Sequence, residues 1–413
     1  MVGPMPVQQF LNAFLPISRI PGYHRLPHQF KKGAFQRTID AMDELKMYGP
    51  FVSEAIKCIN PQYSLFLHKI ESMGQFAPQL VLLDTHCQGD ADNGYTFQTK
   101  PDISVYHRSL GGKVPEGCDS SLIDMHVEFK RYDWDNPFTC PPCDRHDTVF
   151  ISTKPNETNT LGQIGAYAAA QLALQFHMHC FSVYIIHDAA RIIRWERDGA
   201  IITEPIYYNI DSALVRFFSR FSQAPPELHG IDTMVSPVPA REAKLAIDKL
   251  KLPETTAMFQ TTVPRTEGGS AFPILFPRPD MNTTIPFCRG TCTCPAYDPT
   301  GECIVYFKDS WRVSADDIFP EGEIYAKLAA NKVLHVAHCL TSGDVEHSPE
   351  QKPHMLEYSK HPWACQKGLE ITSHIHYCLI LDLVREALMN FRSSRELVQA
   401  IQDALIGELH PSS

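Results

Sequence analysis

The clearest hydrophobic pattern in the chain runs from Thr160 to Ile206. In TLGQIGAYAAAQLALQFHMHC, the residues Ile164, Ala168 and Leu172 recur at helical spacing, which predicts one helix with an apolar stripe. Thr160 and Gln163 have the spacing of a capping box and set the start of that helix. FSVYIIHDAARIIRWERDGAIITEPI then predicts three short strands. Asp198-Gly199, between RIIRWER and AIITEPI, reads as a two-residue hairpin turn, because such turns favour φ > 0.

Weaker patterns fill in the rest. AMDELKMYGPFVSEAIKCIN predicts an amphipathic helix inside residues 1–60, an N-terminal helical extension interrupted by Pro and Gly. SLFLHKIESM and PQLVLLD are apolar runs that periodicity leaves open between helix and strand. ISVYHR and IDMHVEFKRY read as strands, and SALVRFFSRF as an apolar helix closing a domain over residues 61–233. Residues 234–283 are rich in Pro, Thr and charge, with one helix-like segment, AREAKLAIDKL; this stretch is expected to be a linker. In 284–413 the pattern changes to short strands. PFCRGTCTCPAYDPTGECIVYFKDSWR turns at Asp298-Pro-Thr-Gly301, and alternation sets Cys303, Val305 and Phe307 opposite in face to Ile304, Tyr306 and Lys308.

Composition narrows the function classes. A chain of 413 residues has room for two cores, and 44% hydrophobic with 20% charged residues is ordinary for a soluble globular protein. The formal net charge of -10 argues against nucleic acid as a partner, since phosphate affinity comes from Lys and Arg. No apolar run approaches the roughly 20 residues of a membrane helix, and the N-terminus lacks a charged leader followed by an apolar segment. The thirteen cysteines therefore read as reduced thiols of a cytoplasmic or nuclear protein. Cys140-Pro-Pro-Cys143 lacks a second matching pair, and Cys288, Cys292, Cys294 and Cys303 do not supply one, so no metal is expected at them.

Two sets of residues carry chemistry. Pro101-Asp102, then Glu128-Phe129-Lys130, then Gln163 and Tyr167 four apart on one helix face, follow the order of a PD-(D/E)XK nuclease core with a Gln-x-x-x-Tyr helix. The chain resembles that fold, which implies an α+β arrangement with a mixed sheet flanked by helices. In such a site Asp102 and Glu128 would hold a divalent metal, Lys130 would orient a water, and Gln163 would position the substrate backbone. Local chemistry accounts for each residue as well: a Pro-Asp turn, a charged pair on one strand face, a cap partner and a core tyrosine.

The second set lies in VYFKDSWR and PEGEIYAKL. A Lys ending a strand and followed by a Glu-bearing helix is the pattern of a protein-kinase N-lobe, where the Lys holds nucleotide phosphates and the Glu fixes the Lys. Lys308 is that lysine; Glu321 is the expected partner and Glu323 the alternative. Together with EFKRYDWDNPF, FCRGT, RIIRWERDGAIITE and FRSSRELVQAIQDAL, these stretches resemble the fungal-type protein kinase family from about residue 60 to 407. The resemblance implies a nuclease-like domain followed by a partial protein-kinase-like N-lobe. Arg289-Gly290-Thr291 then matches the glycine-loop position, and ATP with Mg is the implied cofactor set. The departures are specific. The loop has one glycine, H-R-D-x-x-x-x-N and D-F-G are absent, and the chain ends at His410-Pro-Ser-Ser413 where the catalytic loop would begin. The expectation is a truncated serine/threonine-kinase-like chain without activity of its own and with a protein partner covering the lobe. A metal-dependent nuclease and a non-catalytic interaction module are the alternatives.

Overall fold

Two seven-stranded sheets organise the chain. The computed structural model describes residues 1–23, 30–59, 79–90, 98–108, 115–139, 147–264, 271–279, 285–383 and 390–408, excepting the side chains of 53–59 and 407–408. Unit 1 comprises residues 1–232, 282–288 and 347–372; unit 2 comprises 233–281, 289–346 and 373–413. The SLFLHKIESM segment and the Cys140–Cys143 pair fall outside the described residues.

Unit 1 begins with β1 (Val2–Met5) and α1 (Val7–Phe14), followed by α2 (Gln36–Ile39) and α3 (Leu45–Ile59). Then come β2 (Leu80–Asp84), β3 (Ile103–His107), β4 (Met125–Lys130), α4 (Pro155–Leu174), β5 (Cys180–Ile186), β6 (Ala189–Glu196) and β7 (Gly199–Thr203), with α5 (Ala213–Gln223) and α6 (Pro226–His229) closing the run. The strand order is β1-β7-β6-β5-β4-β3-β2. β4 and β5 pair in parallel, which requires a crossover, and α4 supplies it. Alternation divides the two faces. Phe181, Val183 and Ile185 of β5 enter a core with α1 and α5, whereas Cys180, Tyr184 and Ile186 enter a second core beneath α4.

Several expectations are corrected here. The long helix starts at Pro155, five residues before Thr160. Pro155 takes the first helical position, where its missing N–H is no loss. Thr160 therefore lies inside the helix and donates to Asn156 O at 3.2 Å, so Thr160 and Gln163 form no capping box. The predicted stripe of Ile164, Ala168 and Leu172 is buried against Trp195, Ala200 and Ile202. The three predicted strands are present. However, Glu196 pairs with Gly199, so the hairpin turn is Arg197-Asp198, one residue earlier than read. Gly199 takes φ 147, and a Cβ there would collide with the Met355 sulfur. Residues 1–60 are also no mere extension. β1 pairs in parallel with β7, and Phe10, Leu11 and Phe14 of α1 sit in the main core.

Unit 2 contains β8 (Ser236–Pro237), α7 (Ala240–Leu250), β9 (Met258–Val263), β10 (Phe272–Pro277), β11 (Cys292–Asp298), β12 (Cys303–Val313), α8 (Glu321–Ala330), β13 (Cys339–Asp344) and β14 (His374–Leu381). The order is β13-β14-β12-β11-β10-β9-β8, antiparallel throughout. The expected linker over 234–283 thus holds α7, β9 and β10. Its polar, Pro-rich composition suits an edge region: β8 is two exposed residues, and α7 buries only Ala246 and Ile247. The segment 347–372 with α9 (Met355–Tyr358) interrupts unit 2 in sequence but belongs to unit 1. There Arg194 donates to Glu350 O at 2.9 Å, and His354 N donates to Glu196 at 2.7 Å. α10 (Ser394–Glu408) follows the expected FRSSRELVQAIQDAL helix. No described helix is long and apolar enough to cross a membrane.

Candidate functional site

The ladder of unit 1 sets up a carboxylate cluster. Ile103 pairs with Val127, so Asp102, one residue before β3, lies across from Glu128 on β4. Asp102 Oδ2 accepts the Phe129 N–H at 2.8 Å, and its Oδ1 accepts the Tyr48 hydroxyl at 2.7 Å. Lys130, two residues along β4, shares a face with Glu128 and donates to Glu128 Oε1 at 2.6 Å and to Phe129 O at 3.0 Å. Its ammonium also lies 3.7 Å from Glu44 Oε1. Glu128 is fully buried, and its Oε2 has no hydrogen-bond partner.

The electrostatics follow from that burial. Desolvation, then the neighbouring Asp102 carboxylate, push the Glu128 carboxyl up to about 8 despite Lys130. Burial likewise raises Asp102, against its hydrogen bonds from Phe129 and Tyr48. Burial raises Glu44 too, with Lys130 opposing. For Lys130, desolvation favours the neutral amine, but Glu128 outweighs it and the net shift is upward. Three carboxylates around one ammonium thus leave excess negative charge in a dry place. A proton retained on Glu128 at neutral pH reduces it.

Gln163 stands one step back. Its Nε2 donates to the Tyr167 hydroxyl at 2.9 Å, and that hydroxyl donates to Lys100 O at 2.7 Å, two residues before Asp102. The Tyr167 ring meets buried His126 edge-on at 5.3 Å. The sequence-predicted Asp102, Glu128 and Lys130 are therefore brought together, with Gln163 and Tyr167 bracing the entry to β3. Glu44 and Tyr48 were missed. They come from the start of the α3 segment, and their i, i+4 spacing was the available signal.

In unit 2, the Lys308 ammonium on β12 donates to both carboxylate oxygens of Glu321, at 2.9 and 2.7 Å. Glu321 is the first residue of α8, where the helix dipole favours a carboxylate. The approach depends on Gly322, the one buried residue of α8. Its N–H donates to the Tyr377 hydroxyl at 2.8 Å, and an added Cβ would lie 1.9 Å from Ser342 Oγ and 2.6 Å from that hydroxyl. A bare backbone thus lets α8 dock on β13 and β14 and carry Glu321 to Lys308. Glu323 forms no ion pair among the described residues and instead acts on Arg312 at longer range. Gly290 takes φ 48, Arg289 O accepts the Trp311 N–H at 2.6 Å, and Thr293 pairs with Lys308. The segment holding the glycine therefore leads directly to the strand beside Lys308.

Cys292 and Cys294 share one face of β11, both buried, while Cys303 is exposed at the start of β12. Comparison with known proteins gives no family model, no curated protein and no solved structure that matches this chain.

Proposed function

We propose that this protein belongs to the fungal-type protein kinases and that unit 2 is its nucleotide-binding lobe. Lys308 grips the α- and β-phosphates of ATP, and Glu321 holds Lys308 in place. One observation carries this reading: both Glu321 oxygens engage the Lys308 ammonium across a strand-to-helix step, which fixes a cation that a phosphate can share. The pair keeps 22% and 25% of its side-chain surface exposed, so a ligand can reach it.

Binding, not transfer, is the activity assigned. The 413 residues contain neither H-R-D-x-x-x-x-N nor D-F-G, so the side chains that would orient a hydroxyl nucleophile and hold magnesium are not among them. Among the described residues of unit 2, the group placed to hold a metal includes an imidazole and a thiol rather than the oxygen set that magnesium prefers. Val398, Ile401 and Leu405 of α10 remain exposed, in keeping with a protein partner for this unit. Titration with a fluorescent ATP analogue tests the reading. Saturable binding lost in Lys308→Ala and weakened in Glu321→Ala supports it, while equal binding by all three proteins removes it.

A second reading, a nuclease-like metal site in unit 1, is favoured by Glu128 Oε2, a buried carboxylate oxygen without a partner. Asp102 and Glu128 fit a hard divalent ion, which when bound would polarise a water and stabilise phosphate charge. Lys130 would then hold the proton balance beside that water, and Tyr48 and the Phe129 N–H would orient Asp102. Cleavage of DNA or RNA with magnesium or manganese, abolished in Glu128→Ala, is the expected result. No cleavage with either ion excludes it.

A further inference from the structure

Lys308 and Asp309 are neighbours on β12 and therefore face opposite sides of the unit 2 sheet. On Asp309's side, register assembles three donors of different chemistry. Asp309 pairs directly with Cys378 on β14. His376 lies two residues from Cys378, on the same face, opposite Trp311. The His376 ring stacks on Trp311, with centroids 5.0 Å apart and planes at 13°, which fixes its rotation. His376 Nε2 sits 2.7 Å from Asp309 Oδ1. One ligand atom from each of Asp309, His376 and Cys378 lies within 4.8 Å of the other two. His376 and Cys378 are each 4% exposed.

We propose that unit 2 holds a divalent transition ion, zinc or one of like softness, on Asp309 Oδ, His376 and Cys378 Sγ. A tetrahedral zinc with bonds of roughly 2.0–2.3 Å holds its donors about 3.3–3.8 Å apart. With the His376 ring held by Trp311, rotation of the Asp309 and Cys378 side chains would bring a set that already lies within 4.8 Å to that spacing. A thiolate and an imidazole select zinc over magnesium or calcium, whereas an Asp–His pair alone would not. Binding releases the Cys378 thiol proton, while a neutral His376 only shifts its proton to the other ring nitrogen, so affinity falls as pH falls. Three protein donors leave a fourth position for water. The ion would tie β12 to β14 beneath Lys308, stiffening the strand that presents it. The signal is invisible to cysteine spacing because Asp309 sits 67 and 69 residues before His376 and Cys378 and meets them only through strand register.

Titration of the full chain, stripped with EDTA, by cobalt(II) alone tests the site. The expected result is a near-ultraviolet thiolate-to-cobalt charge-transfer band that saturates at one ion per chain and is displaced by zinc. The band disappears in Cys378→Ser and persists in Cys303→Ser, whose thiol is exposed at the start of β12. X-ray absorption at the zinc edge of the wild-type chain loaded with one equivalent needs no variant to fold. It should show one sulfur with nitrogen and oxygen in the first shell. No charge-transfer band in the wild type, a band unchanged in folded Cys378→Ser, or a first shell without sulfur each overturns the proposal.

Discussion

Lys130 and Lys308 each reach a glutamate at short range, 2.6 Å to Glu128 in unit 1 and 2.7 Å to Glu321 in unit 2. Their surroundings differ. Glu128 is fully buried beside Asp102, near Glu44, and its own environment disfavours its charge. Glu321 sits at a helix start with a quarter of its side chain exposed. A buried charge must be neutralised by whatever lies within the fold, so the unit 1 lysine is committed to that task. The unit 2 lysine is held without being consumed, which suits a group that has to meet a phosphate from solution.

The largest effect should come from breaking the buried pair. Lys130→Met leaves the Asp102, Glu128 and Glu44 cluster without its cation and should cost about 3 kcal/mol in denaturant unfolding. The matched Lys308→Met should cost less, about 1 kcal/mol, because Glu321 keeps a quarter of its side chain in water. Equal losses would erase the contrast. Next is Gly322→Val, which forces α8 away from Ser342 and Tyr377. Overpacking of this kind should cost about 2 kcal/mol and, unlike Lys308→Met, should also free Glu321 from the sheet. A crystal structure of the variant with the Lys308–Glu321 contact intact would contradict the role given to the glycine.

A smaller effect separates the sites by pH. Glu128 has a folded-state pKa raised to about 8, so the folded chain binds this proton where the unfolded chain has lost it. Stability from this group is full below the ordinary glutamate range and is lost as pH rises towards 8. Buried histidines with lowered pKa, His126 at about 3 and His177 at about 4, act with the opposite sign below pH 6.5. Between pH 6.5 and 8, therefore, wild-type stability should fall relative to Glu128→Gln by up to roughly 1 kcal/mol per pH unit. Parallel curves for the two proteins would mean that Glu128 is already ionised.

Much of this was legible in local pattern. Alternation in IVYFK set Lys308 apart from Val305 and Phe307, and the offsets after Glu321 singled it out over Glu323. The Pro-Asp and Glu-x-Lys order named Asp102, Glu128 and Lys130 through its resemblance to a nuclease core, and the ladder of β3 and β4 brings them together. What stayed hidden depends on distant packing. Thr160 and Gln163 matched a cap, yet the helix begins earlier, at Pro155. The polar stretch 234–283 looked like a linker because the short edge strand β8 and the mostly exposed α7 carry the composition of loops. Glu44 and Tyr48 reach Asp102 and Lys130 only through the fold, as Asp309 reaches His376 and Cys378.

The half-buried Lys308–Glu321 pair is the proposed nucleotide grip. Thermal unfolding of the full chain with and without ATP tests it most directly, in wild type, Lys308→Ala and Glu128→Ala. At ATP 100-fold above its dissociation constant, mass action adds about 2.7 kcal/mol to the folded state. That shift is expected in wild type and Glu128→Ala, and its loss in Lys308→Ala. An equal shift in all three proteins, or none in wild type, would contradict it.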